Sequence, residues 1–271
     1  MFAGRNIIIT GGSSGLGKLL AHRMAREGAN LVLIARDPLK LNAVQDEILG
    51  IMNADQRIMA ISCDVADYRN VETTFQTVAE TIGRPQMLIN SAGVITEGYF
   101  EQMPVEKFRE VMDINYFGTL HCIKAVLPYF KQQGGGTVVN MCSMAGRFGA
   151  FGYSVYCSSK FAVHGLTDAL RAELKPQNIR FHLVCPPEFA SPMVEELNKY
   201  RTPENLKVAH ILPVLDADTV ADAVIKGINQ GRYLIIPGRM TRFLDLANRV
   251  LPFTSRLIMD LQTKLNYRGP E

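Results

Sequence analysis

Apolar and polar positions along the chain alternate between two regimes. Short apolar runs stand at 6–10, 30–35, 58–63, 87–90, 137–142, 180–185 and 233–236, each too short for a helix and closed by small or polar residues, and they are read as buried strands. Longer segments between them carry apolar residues at helical intervals, through Leu19, Leu20, Met24 and Ala25 and then over 38–51, 68–83, 105–131 and 217–230. Strands that alternate with helices throughout predict a doubly wound α/β fold, three layers with a seven-stranded parallel sheet covered on both faces.

Three stretches break the rhythm. Asn115 sits in the middle of the long segment 105–131, where its side chain competes for backbone hydrogen bonds, so a local kink with a water held beside it is expected. Residues 187–216 carry Pro192, Pro203 and Pro213 and read as an irregular segment of the length that lids and binding loops have. The third stretch, 239–268, places Met240, Phe243, Leu244, Leu257, Leu261 and Leu265 at helical spacing with Arg239, Arg242, Arg249, Arg256, Lys264 and Arg268 among them. Pro252 should kink or split it. A basic amphipathic helix of this kind can lie on an anionic membrane surface, or pack on its own domain or a sister subunit. The expected division is therefore a domain over 1–238 and a helical extension over 239–271.

Bulk properties narrow the class. With 271 residues, 47% of them hydrophobic, the chain can bury one substantial core. A formal charge of +3, with no basic run interleaved with aromatics, gives no footprint for nucleic acid. Five cysteines, an odd number without a Cys-x-x-Cys pair, argue against a disulfide framework and a zinc site and fit a reducing compartment. The first residues lack the features of a signal peptide, and no run approaches the ~20 apolar residues of a spanning helix. A cytoplasmic protein is expected, with possible peripheral contact at the cytoplasmic membrane face.

The chemistry concentrates at two places. Tyr156 and Lys160 lie four positions apart at the start of a helical pattern and share one face. A phenol holds its proton to roughly pH 10, and a nearby ammonium is expected to draw that value towards neutrality. Ser143 closes the strand over 137–142, where its hydroxyl could hold a carbonyl oxygen while Tyr156 protonates it. Tyr-x-x-x-Lys also occurs by chance in helices, so the reading depends on a cofactor signature elsewhere.

That signature is Gly11-Gly12-Ser13-Ser14-Gly15-Leu16-Gly17, between a strand and a helix, the context in which backbone N–H groups at a helix start face a pyrophosphate. The second strand ends without an acidic residue for a ribose 2′-hydroxyl, and Arg36 follows, which suits a 2′-phosphate. NADP(H) is therefore expected, with Ser13, Ser14 and Lys40 as helpers. Asp64, followed by Val65, could meet an adenine amino group or cap the next helix. Asn90, Ala92 and Gly93 would let a cofactor pass close to the backbone. Pro186 falls at the same ends of the strands, where ligands bind in such sheets.

Taken in order, the glycine-rich turn, Asp64-Val65, Asn90-Ser91-Ala92-Gly93, Asn115, Ser143 and Tyr156-Cys157-Ser158-Ser159-Lys160 resemble the short-chain dehydrogenase/reductase family over roughly residues 4–237. The resemblance implies a Rossmann-type fold and a catalytic tetrad of Asn115, Ser143, Tyr156 and Lys160. In it Tyr156 is the acid/base, Ser143 orients the carbonyl, and Asn115 positions a water in a proton relay. Lys160 would lower the Tyr156 pKa and hold the nicotinamide ribose. Ser191 would take the place of a threonine that binds the nicotinamide amide. Family members are usually dimers or tetramers built on the helices that here bear Asn115 and Tyr156.

Two departures are Ser91, where a second asparagine is usual, and Pro186-Pro187-Glu188, where most members have Pro-Gly. The segment around Glu188 and Tyr156 resembles a subgroup, the 3-ketodihydrosphingosine reductases, which reduce the ketone of a long-chain sphingoid base with NADPH. Met144, Phe148, Phe151, Phe189, Met193 and Val194 could then line an acyl channel or simply pack a lid. Glu188 could pair with a sphingoid amine or stand solvated. Two alternatives are a same-family enzyme acting on a steroid, retinoid, 3-oxoacyl or xenobiotic carbonyl or alcohol, and a cofactor-sensing scaffold without turnover. The five histidines show no metal-ligand spacing, and no metal is expected.

Overall fold

The computed structural model describes residues 2–267 and 269; Arg268, expected among the basic positions of the last helix, lies outside the described residues. Seven strands, β1 (Asn6–Thr10), β2 (Asn30–Ala35), β3 (Ile58–Ser62), β4 (Met87–Asn90), β5 (Gly136–Met141), β6 (Ile179–Val184) and β7 (Leu234–Ile235), form one sheet in the order β3-β2-β1-β4-β5-β6-β7. Every pairing is parallel. The unbroken apolar runs follow from cover on both faces. Ile7 and Ile9 enter the core on one side while Ile8 enters the core on the other, because neighbouring strand residues point to opposite faces.

On one face pack α1 (Gly15–Arg26), α2 (Pro38–Leu49) and α9 (Ala217–Asn229). The other face is covered by α3 (Tyr68–Thr81), α5 (Gly118–Gln132) and part of α6 (Ser154–Leu174). Chain order reverses between β1 and β4, so a crevice opens at the C-terminal ends of these strands.

Two expectations change. The segment 187–216 is not irregular: it carries α7 (Pro192–Leu197) and α8 (Pro203–Ala209). Ser191 and Thr202 cap these helices, so Pro192 and Pro203 occupy the first helical turn instead of breaking it. Asp64 does not cap α3 either, since Asp67 accepts from the amides of Arg69 and Asn70.

The long helix does deform at Asn115. It runs as α4 (Val105–Met112), a π-helical turn (Asp113–Phe117) and α5, and such turns mark sites where a side chain intrudes on the ladder. Pro252 splits the C-terminal segment into α10 (Arg239–Val250) and α11 (Phe253–Asn266), which packs against α8. Among the described residues, no helix is long and apolar enough to cross a membrane.

Candidate active site

At the C-terminal edge of the sheet lies a cavity of about 260 Å³, bounded at one end by Gly11, Ser14, Gly15 and Leu16 and at the other by the α7–α8 segment. Close approach of backbone makes the first end. A Cβ on Gly11, whose φ is +67°, would sit 2.7 Å from the Ala92 amide nitrogen, and one on Gly17 would sit 2.3 Å from the Gly11 carbonyl oxygen. By contrast, Gly15 at φ +50° has nothing within 4 Å of an added Cβ, so its backbone faces open space, as a pyrophosphate cradle requires. Ser13 stands on the same turn, and Ala92 and Gly93 line the next stretch of wall.

Ser143, Tyr156 and Lys160 all line this cavity. Ser143 follows β5 and starts a short 3₁₀ turn, Met144–Gly146, by accepting from the Ala145 amide at 3.1 Å. Tyr156 and Lys160 project from the first turns of α6. The lysine Nζ lies 5.6 Å from the centroid of the Tyr156 ring and donates to the Met141 carbonyl at 2.9 Å.

Burial decides the protonation of this group. It pushes the Tyr156 phenol above its ordinary value, opposed by a hydrogen bond from Ser143, and it lowers Lys160. The expected pull of the phenol towards neutrality is not what this arrangement does. A phenol that keeps its proton suits proton donation to a developing alkoxide.

Asn115 is 1% exposed. Its Oδ1 accepts from the Val94 amide at 2.8 Å, while its Nδ2 donates to the Val94 carbonyl at 2.9 Å and to Ser159 Oγ at 2.9 Å. These bonds pin the π-helical turn to the loop after β4. The side-chain amide is thus committed to protein partners, which fixes Asn115 and the Val94 loop together.

A model described as short chain dehydrogenase matches residues 5–202. The chain belongs to that family. As a short-chain dehydrogenase, an oxidoreductase, it is 37% identical over 232 residues to a 3-dehydrosphinganine reductase of Danio rerio, covering 85% of this chain and 70% of the relative. A 3-ketodihydrosphingosine reductase of Dictyostelium discoideum is 35% identical over 247 residues, covering 86% and 74%. Among solved structures it is similar to levodione reductase, with a TM-score of 0.79, 29% identity and coverage of 88% and 96%. A short-chain dehydrogenase from Sphingobium yanoikuyae in complex with NADPH matches with a TM-score of 0.78 and 26% identity, covering 98% of both chains.

The remaining expected residues of this short-chain dehydrogenase divide clearly. Arg36 is exposed at the end of β2, and its side chain makes no hydrogen bond or ion pair among the described residues. Lys40 stands nearby, 3.8 Å from Asp37. Asp64 is exposed and Val65 buried after β3, and Pro186 and Ser191 line the main cavity. Asn90 does not line it: its amide turns into the sheet and donates to Asn140 Oδ1 at 2.8 Å.

Met144, Phe148, Phe189, Met193 and Val194 line the cavity as expected. Phe151 does not. It packs edge-on against Tyr99 and Tyr267, outside the lining. Glu188 lines the wall, but its carboxylate is held bidentately by Arg201, whose side chain is 2% exposed and also donates to the Tyr153 hydroxyl at 2.7 Å. The free carboxylate expected for a substrate amine is therefore already neutralised. Burial still pushes the Tyr153 phenol up to about 12.

Sequence reading missed the Glu188–Arg201–Tyr153 network and the Arg147–Asp245 ion pair. Partners separated by 13, 48 and 98 positions leave no local spacing to read.

Proposed function

We propose that this short-chain dehydrogenase reduces the ketone of 3-ketodihydrosphingosine, or a closely related long-chain 3-keto lipid, to the alcohol with NADPH. The observation that carries the reading is the placement of Ser143, Tyr156 and Lys160 in the lining of one largely apolar cavity. The names of the relatives point the same way on substrate.

Gly11, Ser14, Gly15 and Leu16 would hold the pyrophosphate, with Ser13 and Gly17 shaping the turn. Arg36 and Lys40 would face the 2′-phosphate, and Asp64 and Val65 the adenine. Ala92, Gly93, Pro186 and Ser191 would flank the nicotinamide half. The bound dinucleotide supplies the hydride. Ser143 donates to the ketone oxygen, Tyr156 gives that oxygen its proton, and Lys160 holds the ribose and stabilises the phenolate left behind. Asn115 keeps the Val94 loop in register behind them.

Residues 1–238 form the catalytic domain in this reading, and 239–271 a helical extension. Phe243, Leu257, Leu261 and Leu265 are each more than half exposed on α10 and α11, beside Arg239, Arg242, Arg249, Arg256 and Lys264. That face suits an anionic membrane surface from which a lipid ketone is drawn. The protein would work at the cytoplasmic membrane face as a homodimer or homotetramer, joined through the helices that expose Phe117 and Phe161.

The test is NADPH consumption with 3-ketodihydrosphingosine in detergent, beside NADH, a steroid ketone and a 3-oxoacyl thioester, with Tyr156→Phe as control. The expected outcome is selective turnover of the ketosphingoid base with NADPH, lowered in the variant by roughly 10²–10⁴. Turnover confined to another carbonyl would replace the substrate and keep the reaction.

A further inference from the structure

Behind the catalytic cavity lies a second one, of about 210 Å³, between α8 and the C-terminal hairpin of α10 and α11. Leu244 and Ala247 contribute from α10, Ile258 and Met259 from α11. Its lining is almost wholly apolar, and Thr254, one of its few hydroxyls, is satisfied by the Leu251 carbonyl at 2.8 Å. Water gains little in such a space, whereas an apolar group entering it gains close contacts.

The two cavities are neighbours. Phe148, Val208 and Leu212 line both, so three apolar side chains form the partition. Phe148 stands five residues after Ser143, and the preceding residue, Arg147, is ion-paired at 2.7 Å with Asp245, the residue after Leu244. One buried ion pair thus fixes the partition against the wall of the second cavity.

We infer that the second cavity is a tail compartment, which takes the distal part of a saturated hydrocarbon chain whose ketone end reaches Tyr156 past Phe148, Val208 and Leu212. The inference rests on the reading of the substrate as a long-chain lipid and adds which part of the chain measures its length. Adjacency of the two spaces across a thin apolar partition and their shared apolar character name the occupant. A polar molecule would find few partners there, from Asn248, Thr254 and Ser255 alone, and a short ketone would leave it empty.

The test is binding of saturated 2-amino-1,3-diols of increasing chain length to the NADP⁺-loaded full-length protein, by calorimetry below their micelle concentrations. In the wild type, affinity should climb by roughly two- to fourfold per methylene across lengths of about eight to eighteen carbons. Ala247→Phe, which fills the compartment, should cut affinity for the longest chain by tenfold or more and leave the shortest within twofold. Met259→Ala, which enlarges it, should move the plateau to longer chains and guards against a misfolded Ala247→Phe. Melting temperature and NADP⁺ affinity serve as folding controls.

A wild-type affinity indifferent to chain length, or a profile unmoved in both variants, overturns the compartment. Turnover of 3-ketodihydrosphingosine is measured separately. If the profile shifts while that ketone is not reduced, the compartment stands and the sphingoid head falls; if the ketone is reduced and the profile does not shift, the compartment alone falls.

Discussion

Arg147 and Asp245 form an ion pair at 2.7 Å with side chains only 13% and 5% exposed, and it joins the turn after Ser143 to α10. Arg147 also contacts His164 Nε2 at 3.2 Å, and His164 Nδ1 lies 2.8 Å from the Gly146 carbonyl. Removing one partner leaves a charge buried without compensation. Asp245→Ala is therefore expected to lose roughly 3 kcal/mol of stability. A paired Arg147→Met, Asp245→Leu replacement should recover most of it, so denaturant unfolding of the two singles and the double will show a coupling energy well above zero.

The raised Tyr156 phenol sets the pH dependence. Reduction needs the protonated phenol, and a pKa raised by burial keeps that form populated below the folded value. The chemical step of ketone reduction should stay level through neutral pH and decline only above the ordinary phenol value of about 10. Oxidation of the alcohol, which needs the phenolate, should rise with pH over the same range. Single-turnover rates in both directions check this, and a decline in reduction already near neutrality would contradict the protonated phenol.

Arg36 offers a guanidinium with no side-chain partner among the described residues at the end of β2. Arg36→Asp should raise the NADPH KM by roughly ten- to a hundredfold, the range set by one or two charged hydrogen bonds. It should also narrow the gap to NADH while leaving kcat within a small factor. Steady-state kinetics with both dinucleotides measure the change.

Glu188 is held by Arg201, so its role is to build the wall. Glu188→Gln should change KM alike for amine-bearing and amine-free long-chain ketones. Arg201→Leu, which strands a largely buried carboxylate, should cost about 3 kcal/mol in thermal or denaturant unfolding. A KM effect confined to the amine-bearing ketone would return Glu188 to substrate recognition.

The outward face of α10 and α11 is apolar with basic flanks. Replacing Phe243, Leu257 and Leu261 by Ser should weaken cosedimentation with anionic vesicles by tenfold or more, from the apolar area withdrawn. Turnover of a short soluble ketone should remain unchanged. Equal vesicle binding by wild type and variant would remove the membrane role.

Most of the architecture was legible in the residues because its signals are local. Ile7, Ile8 and Ile9 mark a strand covered on both faces, Gly11 to Gly17 mark a turn with backbone exposed, and Tyr156 and Lys160 share a face through helical spacing alone. Asn115 disturbs its own helix, so the distortion was readable too. The parallel sheet, the convergence of Ser143 with α6, and the split at Pro252 then follow from the alternation and from the limits on proline geometry, while the strand order is set by the folded sheet.

What the residues could not reveal depends on partners far apart in the chain. Glu188 loses its freedom to Arg201, and Phe151 leaves the cavity for Tyr99 and Tyr267. Asn90 turns to Asn140, and the Tyr156 pKa answers to burial before it answers to Lys160. Burial and long-range hydrogen bonding belong to the folded assembly and leave no periodicity behind. The same holds for the second cavity, whose walls from 148 to 259 enclose a space only when α8 and the C-terminal hairpin pack together.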